Sequence, residues 1–236
     1  MASEATPSPI ILRPATPGDA RAAAPLIREA GPVMFDRVFG PRPADAVRFF
    51  ERLFARPDVP FSYQTALVAT LDEEVVGLAL AAPAQARRRN SWRMLYLLPR
   101  YRGLLAPLRL LPVARAFWSA TSPPPQEAYY LSILAVRPDQ RGRGIGGLLL
   151  EAVGRDAADA GCSMICLHAE RDNIGARRFY ARHGYQVTAE HLTPHAARWG
   201  VSGFMALRKE TDPTPATNRG GRKAGYTSPN ISLISY

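Results

Sequence analysis

The most chemically informative stretch of the chain runs from Leu131 to Gly146, LSILAVRPDQRGRGIG. A continuous apolar run leads into a turn with Gly142, Gly144 and Gly146 at alternate positions, and a helical pattern begins directly after it. Glycines let the backbone approach a ligand closely and adopt left-handed conformations that a side chain resists. The start of the following helix presents unpaired N–H groups and a partial positive charge. Together these features suit a diphosphate, and Arg141 and Arg143 add formal charge to the same place. The stretch is not a P-loop, because no Gly-Lys-Ser/Thr follows. A tight turn that packs a helix closely onto a sheet is the purely structural alternative.

The elements that must position this turn can be read from apolar spacing. Tyr129–Val136 reads as a strand buried on both faces, and 145–160 as a helix with Leu148, Leu149, Val153 and Ala157 on one stripe and Gly161 as its C-cap. Met164–Leu167 reads as a strand, Ile174–His183 as a helix closed by Gly184, Tyr185–Thr188 as a strand and Gly203–Leu207 as a last strand. Towards the N-terminus, Ile10–Leu12 reads as a strand, followed by a helix capped by Thr16 or Asp19 and running to about Ala30. A second helix is expected over Ala44–Ala55, where Val47, Phe50 and Leu53 or Phe54 share a face before Pro57 and Pro60. Ser62–Leu71 and Val75–Ala82 form a hairpin through Asp72-Glu73-Glu74. Strand, helix, strand, helix, strand in succession requires a partly parallel sheet, and the hairpin makes it mixed: an α/β fold flanked by helices.

Two motifs in this frame give the chain a family resemblance. Arg141-Gly142-Arg143-Gly144-Ile145-Gly146, or one residue earlier Gln140-Arg141-Gly142, stands after a strand, and Asn173, Ala176, Phe179-Tyr180 and Gly184-Tyr185 follow it. The arrangement resembles the acetyl-CoA-binding core of the GNAT superfamily of N-acetyltransferases, over about Ile10–Leu207 and most specifically over residues 130–188. The resemblance implies acetyl-CoA as acetyl donor, with no metal. The backbone of Leu134, Ala135 and Val136 would pair with the pantetheine arm like an added strand, and the N–H near Leu134 would polarise the thioester carbonyl. The N–H groups of Arg141, Gly142, Arg143, Gly144, Ile145 and Gly146 would hold the diphosphate. Asn173 would contact the cofactor near its pantetheine, and Tyr180 would act as general acid to the departing thiolate.

Transfer to an amine also needs a proton acceptor. His168 stands where some peptide-acetylating relatives carry a Glu, and an unperturbed imidazole titrates near 6.5, which suits a base at neutral pH. Glu127 matches the place where other relatives put their base. The bland readings are a hydrogen-bonded strand histidine and a solvated acid at a strand start. The expected reaction is direct attack by a primary amine of a small molecule, peptide or protein in a ternary complex. The alternative is a non-catalytic acyl-CoA-binding or sensing module.

Charge and composition bound the remaining readings. The net charge is +10, but Ala86–Ala120 alone contains eight Arg and no acid, and Thr211–Tyr236 contributes a further +2. The excess therefore belongs to one basic apolar insertion, 83–125, and one tail, 210–236, and not to a nucleic-acid-binding face. The insertion reads as a lid or packed flap beside a single 1–209 domain, and the tail as disordered. No apolar run approaches the roughly 20 residues of a spanning helix, so stable membrane insertion is not expected. Met1–Pro9 lacks a signal-peptide pattern, which makes a cytoplasmic location the default expectation. Cys162 and Cys166 read as small buried thiols, since no second pair stands at ligand spacing. The oligomeric state is open, with a homodimer among the options.

Overall fold

The structure is a computed structural model that describes residues 8–39, 42–86, 121, 123–193 and 200–211. Most of the expected insertion and of the expected tail lies outside the described residues. Strands β1 (Ile11–Pro14), β2 (Ala66–Leu71), β3 (Glu74–Pro83), β4 (Ala128–Val136), β5 (Met164–Glu170), β6 (Gln186–Leu192) and β7 (Gly203–Glu210) form one sheet in the order β1-β2-β3-β4-β5-β7-β6. Among the described residues only the β4/β5 pair is parallel, which makes the sheet mixed as expected. Helices α1 (Ala20–Glu29), α2 (Pro32–Phe39) and α3 (Pro43–Phe54) cover one face, and α4 (Ile145–Asp159) and α5 (Ile174–Arg182) cover the other.

Local chemistry fixes the first helix. The Asp19 carboxylate accepts from the Thr16 N–H at 2.7 Å and the Thr16 hydroxyl at 3.0 Å, and from two Arg13 nitrogens at 2.8 and 2.7 Å. β1 is thereby tied to the start of α1. The Arg13 hydrogen bonds hold the Asp19 carboxyl down to about 2, against the opposing effect of burial.

Helix α2 is missing from the sequence expectations. Gly31-Pro32 before it and Gly40-Pro41 after it read as loop punctuation, whereas Pro32 sits at the first helical position, where its missing N–H costs nothing. Arg28 of α1 donates to Asp36 of α2, from Nε at 2.8 Å and from Nη2, and Phe35 packs edge-on against Phe50 of α3 at 4.9 Å between ring centroids. The β2–β3 turn is one residue shorter than expected. Asp72 (φ 50°) and Glu73 (φ 66°) are both left-handed, as a two-residue hairpin turn demands, and Glu74 already belongs to β3.

The central strand changes its facing partway along. Ala81 pairs with Leu131 and Leu80 with Ile133, so Ser132 is an extra residue, a β-bulge. In a regular strand Leu131 and Ile133 would share a face. Here Leu131 packs with α4, while Ile133 and Ala135 pack with the α1–α3 layer.

Replacing Asp19 by Asn tests the β1–α1 tie through its pH dependence. The folded carboxyl titrates below its unfolded value of near 3.9, so its contribution is full above about pH 4 and fades as pH falls towards 2. Urea midpoints of wild type and Asp19→Asn should differ at pH 7 and converge towards pH 2. A constant gap across that range would contradict the assignment.

Candidate active site

The bulge and the parallel pairing together open the sheet. β4 pairs with β5 only from Ala128/Met164 to Leu131/Leu167. Beyond Leu131, Ser132–Val136 has only β3 beside it among the described residues, while His168, Ala169 and Glu170 pair with β7. A strand edge with unpaired backbone groups invites an extended ligand to complete the ladder. Leu134 and Val136 are half-buried along this edge and Ala135 is buried.

The Gly-rich turn stands at the open end of β4. Arg137 fixes its start: the N–H donates to the Val76 carbonyl at 2.8 Å, and the side chain bridges to Glu74 at 2.9 Å and Asp139 at 2.8 Å. Arg141 Nε donates to the Val136 carbonyl at 3.1 Å, and Arg143 donates to Gln140. Gly142 and Gly144 both have φ of 80°, which only glycine takes without strain, and no atom lies within 4 Å of where their Cβ would stand. The first intrahelical bond of α4 runs from Leu148 N–H to Gly144 O at 3.1 Å, so the amides of Ile145, Gly146 and Gly147 have no acceptor within the helix. Gly142-x-Gly144-x-x-Gly147 also has dinucleotide-turn spacing. The sheet is wrong for that fold, because β4 has an antiparallel neighbour in β3.

Several of these residues also serve packing. The Ile145 side chain is core, and a Cβ on Gly77 of β3 would stand 2.9 Å from its Cγ2 and 3.1 Å from Leu149 Cδ1. Gly77 therefore sets how closely the start of α4 lies on the sheet. Gly146 has the same function towards α5, since its Cβ would meet the Phe179 ring at 3.1 Å. Asn173 caps α5: its Oδ1 accepts from Ala176 N–H at 2.9 Å, which gives the Asn-x-x-Ala spacing a direct cause.

Tyr180 points from α5 into the protein, edge-on to Tyr185 with 5.5 Å between ring centroids. Burial, seconded by the nearby Tyr130, pushes its phenol well above the ordinary range, so it stays protonated at neutral pH. Tyr130 is a residue that the sequence reading missed. Its hydroxyl lies 3.0 Å from Nδ1 of His168, across the last paired stretch of β4 and β5. The structure thus gathers Tyr180, Tyr130 and His168 around the point where the strands part. Glu127 is exposed at the other end of β4 and, by the parallel register, about 16 Å of strand from His168. Cys162 and Cys166 are both buried free thiols. Among the described residues no group of three or more His, Cys, Asp or Glu could hold a metal ion, and no helix is long and apolar enough to cross a membrane.

Known proteins match this geometry. Residues 113–185 fit the sequence profile of the acetyltransferase (GNAT) family. A mycothiol acetyltransferase of Corynebacterium aurimucosum is 34% identical over 74 residues, which is 31% of this chain and 24% of that protein. An uncharacterized N-acetyltransferase, YjcF of Bacillus subtilis, is 35% identical over 60 residues, 25% of this chain and 41% of that one. The chain thus spans less than half the length of these curated relatives. A crystal structure of an acetyltransferase superposes with a TM-score of 0.61 at 24% identity, covering 85% of this chain and 99% of that one. An N-acetyltransferase from Staphylococcus aureus Mu50 gives 0.59 at 17% identity, over 84% and 100%. The fold is that of acetyltransferases of known structure, and residues 113–185 resemble the GNAT acetyltransferase family in sequence.

Gly77→Val tests the seating of α4. The added methyls must displace Ile145 and Leu149, and such overpacking costs about 1–3 kcal/mol. Urea denaturation should show that loss, and an unchanged midpoint would contradict the close approach.

Proposed function

We propose that the protein is an acyltransferase that moves the acetyl group of acetyl-CoA onto a primary amine by direct attack in a ternary complex. The observation that carries this reading is the open edge of β4 beyond Leu131, leading straight to the Gly-rich start of α4. The residues present fit acetyl-CoA. Gly142 and Gly144 leave open space where side chains would stand, and the amides of Ile145–Gly147 lack partners within their own helix.

The amides of the 141–147 turn, with Arg141 and Arg143 beside them, would bind the diphosphate. Leu134, Ala135 and Val136 would hold the pantetheine arm along the β4 edge. Asn173, with its carbonyl engaged by Ala176, retains its NH₂ group to donate towards that arm. Acetyl-CoA supplies an activated acetyl thioester. Tyr180, kept protonated by burial, gives its proton to the thiolate that leaves. The Tyr130–His168 pair offers the route for the amine's proton: Tyr130 passes its proton to Nδ1 of His168 as it accepts one from the amine. His168 therefore fits the base better than Glu127, which stands well down the strand. The C–N bond forms as the C–S bond breaks. An acceptor that arrives as ammonium gives up two protons in all, one replacing the proton that Tyr180 passes to the thiolate and one leaving through Tyr130 and His168 to solvent. The products are an amide, a free thiol and one released proton.

Calorimetric titration with acetyl-CoA, CoA and NADH, followed by thiol release with amines, tests this reading. Acetyl-CoA should bind and NADH should not, with thiol release dependent on amine. Gly144→Asp should weaken acetyl-CoA binding at least tenfold, by repelling the diphosphate and straining a left-handed position. Tyr180→Phe should leave affinity nearly unchanged and lower turnover by a factor on the order of 10². Tight binding with no release to any amine would favour the acyl-CoA-sensing alternative.

A further inference from the structure

Past His168, β5 carries one more residue on the same face, Glu170, which no sequence motif singled out. This side chain is half-buried, yet among the described residues its carboxylate makes no ion pair; the neighbouring Glu190 is paired with Arg171. Gly31 opens α2 so close by that a Cβ there would lie 3.8 Å from Glu170 Oε1 and 3.5 Å from the Phe35 ring. Phe204 of β7 stands directly opposite Glu170 in the antiparallel register, so the two share a face. Phe204 packs with Val201 and with Met34 of α2. Two bonds hold this corner: Arg171 N–H to Gly203 O at 2.9 Å and Ser202 N–H to Asp172 Oδ2 at 3.3 Å.

We propose that Glu170 is the anchor for the acceptor: its carboxylate receives the ammonium group of a monoamine carried on an apolar body, and Met34, Val201 and Phe204 contact that body. This rests on the transferase reading above and names the substrate class of the same site. Placing a carboxylate half out of water without a cation is costly, and a ligand ammonium repays that cost where water cannot. Burial first, and Asp172 second, push the Glu170 carboxyl above its ordinary range, which is the state an arriving cation relieves. Along the same face, Glu170 is followed by His168, whose ring meets Tyr130, so an amine anchored here lies beside the proton route. A single carboxylate supplies one counter-charge, which suits a monoamine better than polycationic acceptors such as polyamines and aminoglycosides.

The test is calorimetric titration of 2-phenylethylamine and of spermidine into the CoA-loaded full chain, for wild type, Glu170→Gln, Glu170→Asp and Gly31→Ala. Phenylethylamine should bind wild type more tightly than spermidine does. Glu170→Gln should weaken it at least tenfold, Glu170→Asp less, and Gly31→Ala should weaken it by narrowing the approach while leaving the charge in place. CoA affinity, measured without amine, should be equal in all four. Equal phenylethylamine affinity in wild type and Glu170→Gln, tighter binding of spermidine, or no binding of phenylethylamine would overturn the anchor while CoA still binds. Failure of wild type to bind CoA would instead overturn the transferase reading, and the anchor with it.

Discussion

The parting of β4 and β5 is the constraint on which the rest of the structure depends. Parallel strands normally continue their ladder, since each lost pair leaves backbone groups unsatisfied. Here the ladder stops after Leu131/Leu167, and Ser132 inserts at that point. The bulge rotates the remainder of β4 so that Ile133 and Ala135 turn to the α1–α3 layer and keep that half of the strand anchored by packing. β5 is held away by its continuous pairing with β7 up to Glu170/Phe204. Each strand is thus secured on its outer side, and the gap between them survives folding.

Three kinds of group converge on that gap for separate physical reasons. The α4 amides arrive there because Gly77 and Gly146 let the helix sit close to both the sheet and α5. Tyr180 arrives because Asn173 caps a short helix and starts it at a fixed point, so that the phenol is set down between Tyr185 and the strands. Tyr130 and His168 arrive from neighbouring strands, just before those strands separate. Burial then acts on protonation, raising the Tyr180 phenol and the Glu170 carboxyl above their ordinary ranges.

The second half of the fold was legible because its helices and strands carry strong, uninterrupted apolar patterns, and the Gly-rich turn announces itself by residue type. Helix α2 is short and bracketed by Gly-Pro on both sides, and its reason to fold is tertiary: Phe35 against Phe50 and Asp36 against Arg28. The bulge at Ser132 has no local signal, because it exists to reconcile two faces of packing. Tyr130 reads as one more apolar strand residue until register brings it to His168, 38 positions away. Glu170 was hidden because strand β5 runs three residues beyond its apolar core, and because the burial of its side chain depends on α2.

Backbone amide hydrogen exchange with and without acetyl-CoA reads the strand edge and the helix start themselves. New protection is expected at Ile133–Val136 and at Ile145–Gly147 when acetyl-CoA is present, with β1 and β2 unchanged. Protection confined to other segments, or none at saturating acetyl-CoA, would contradict the assignment of the β4/β5 opening as the cofactor seat.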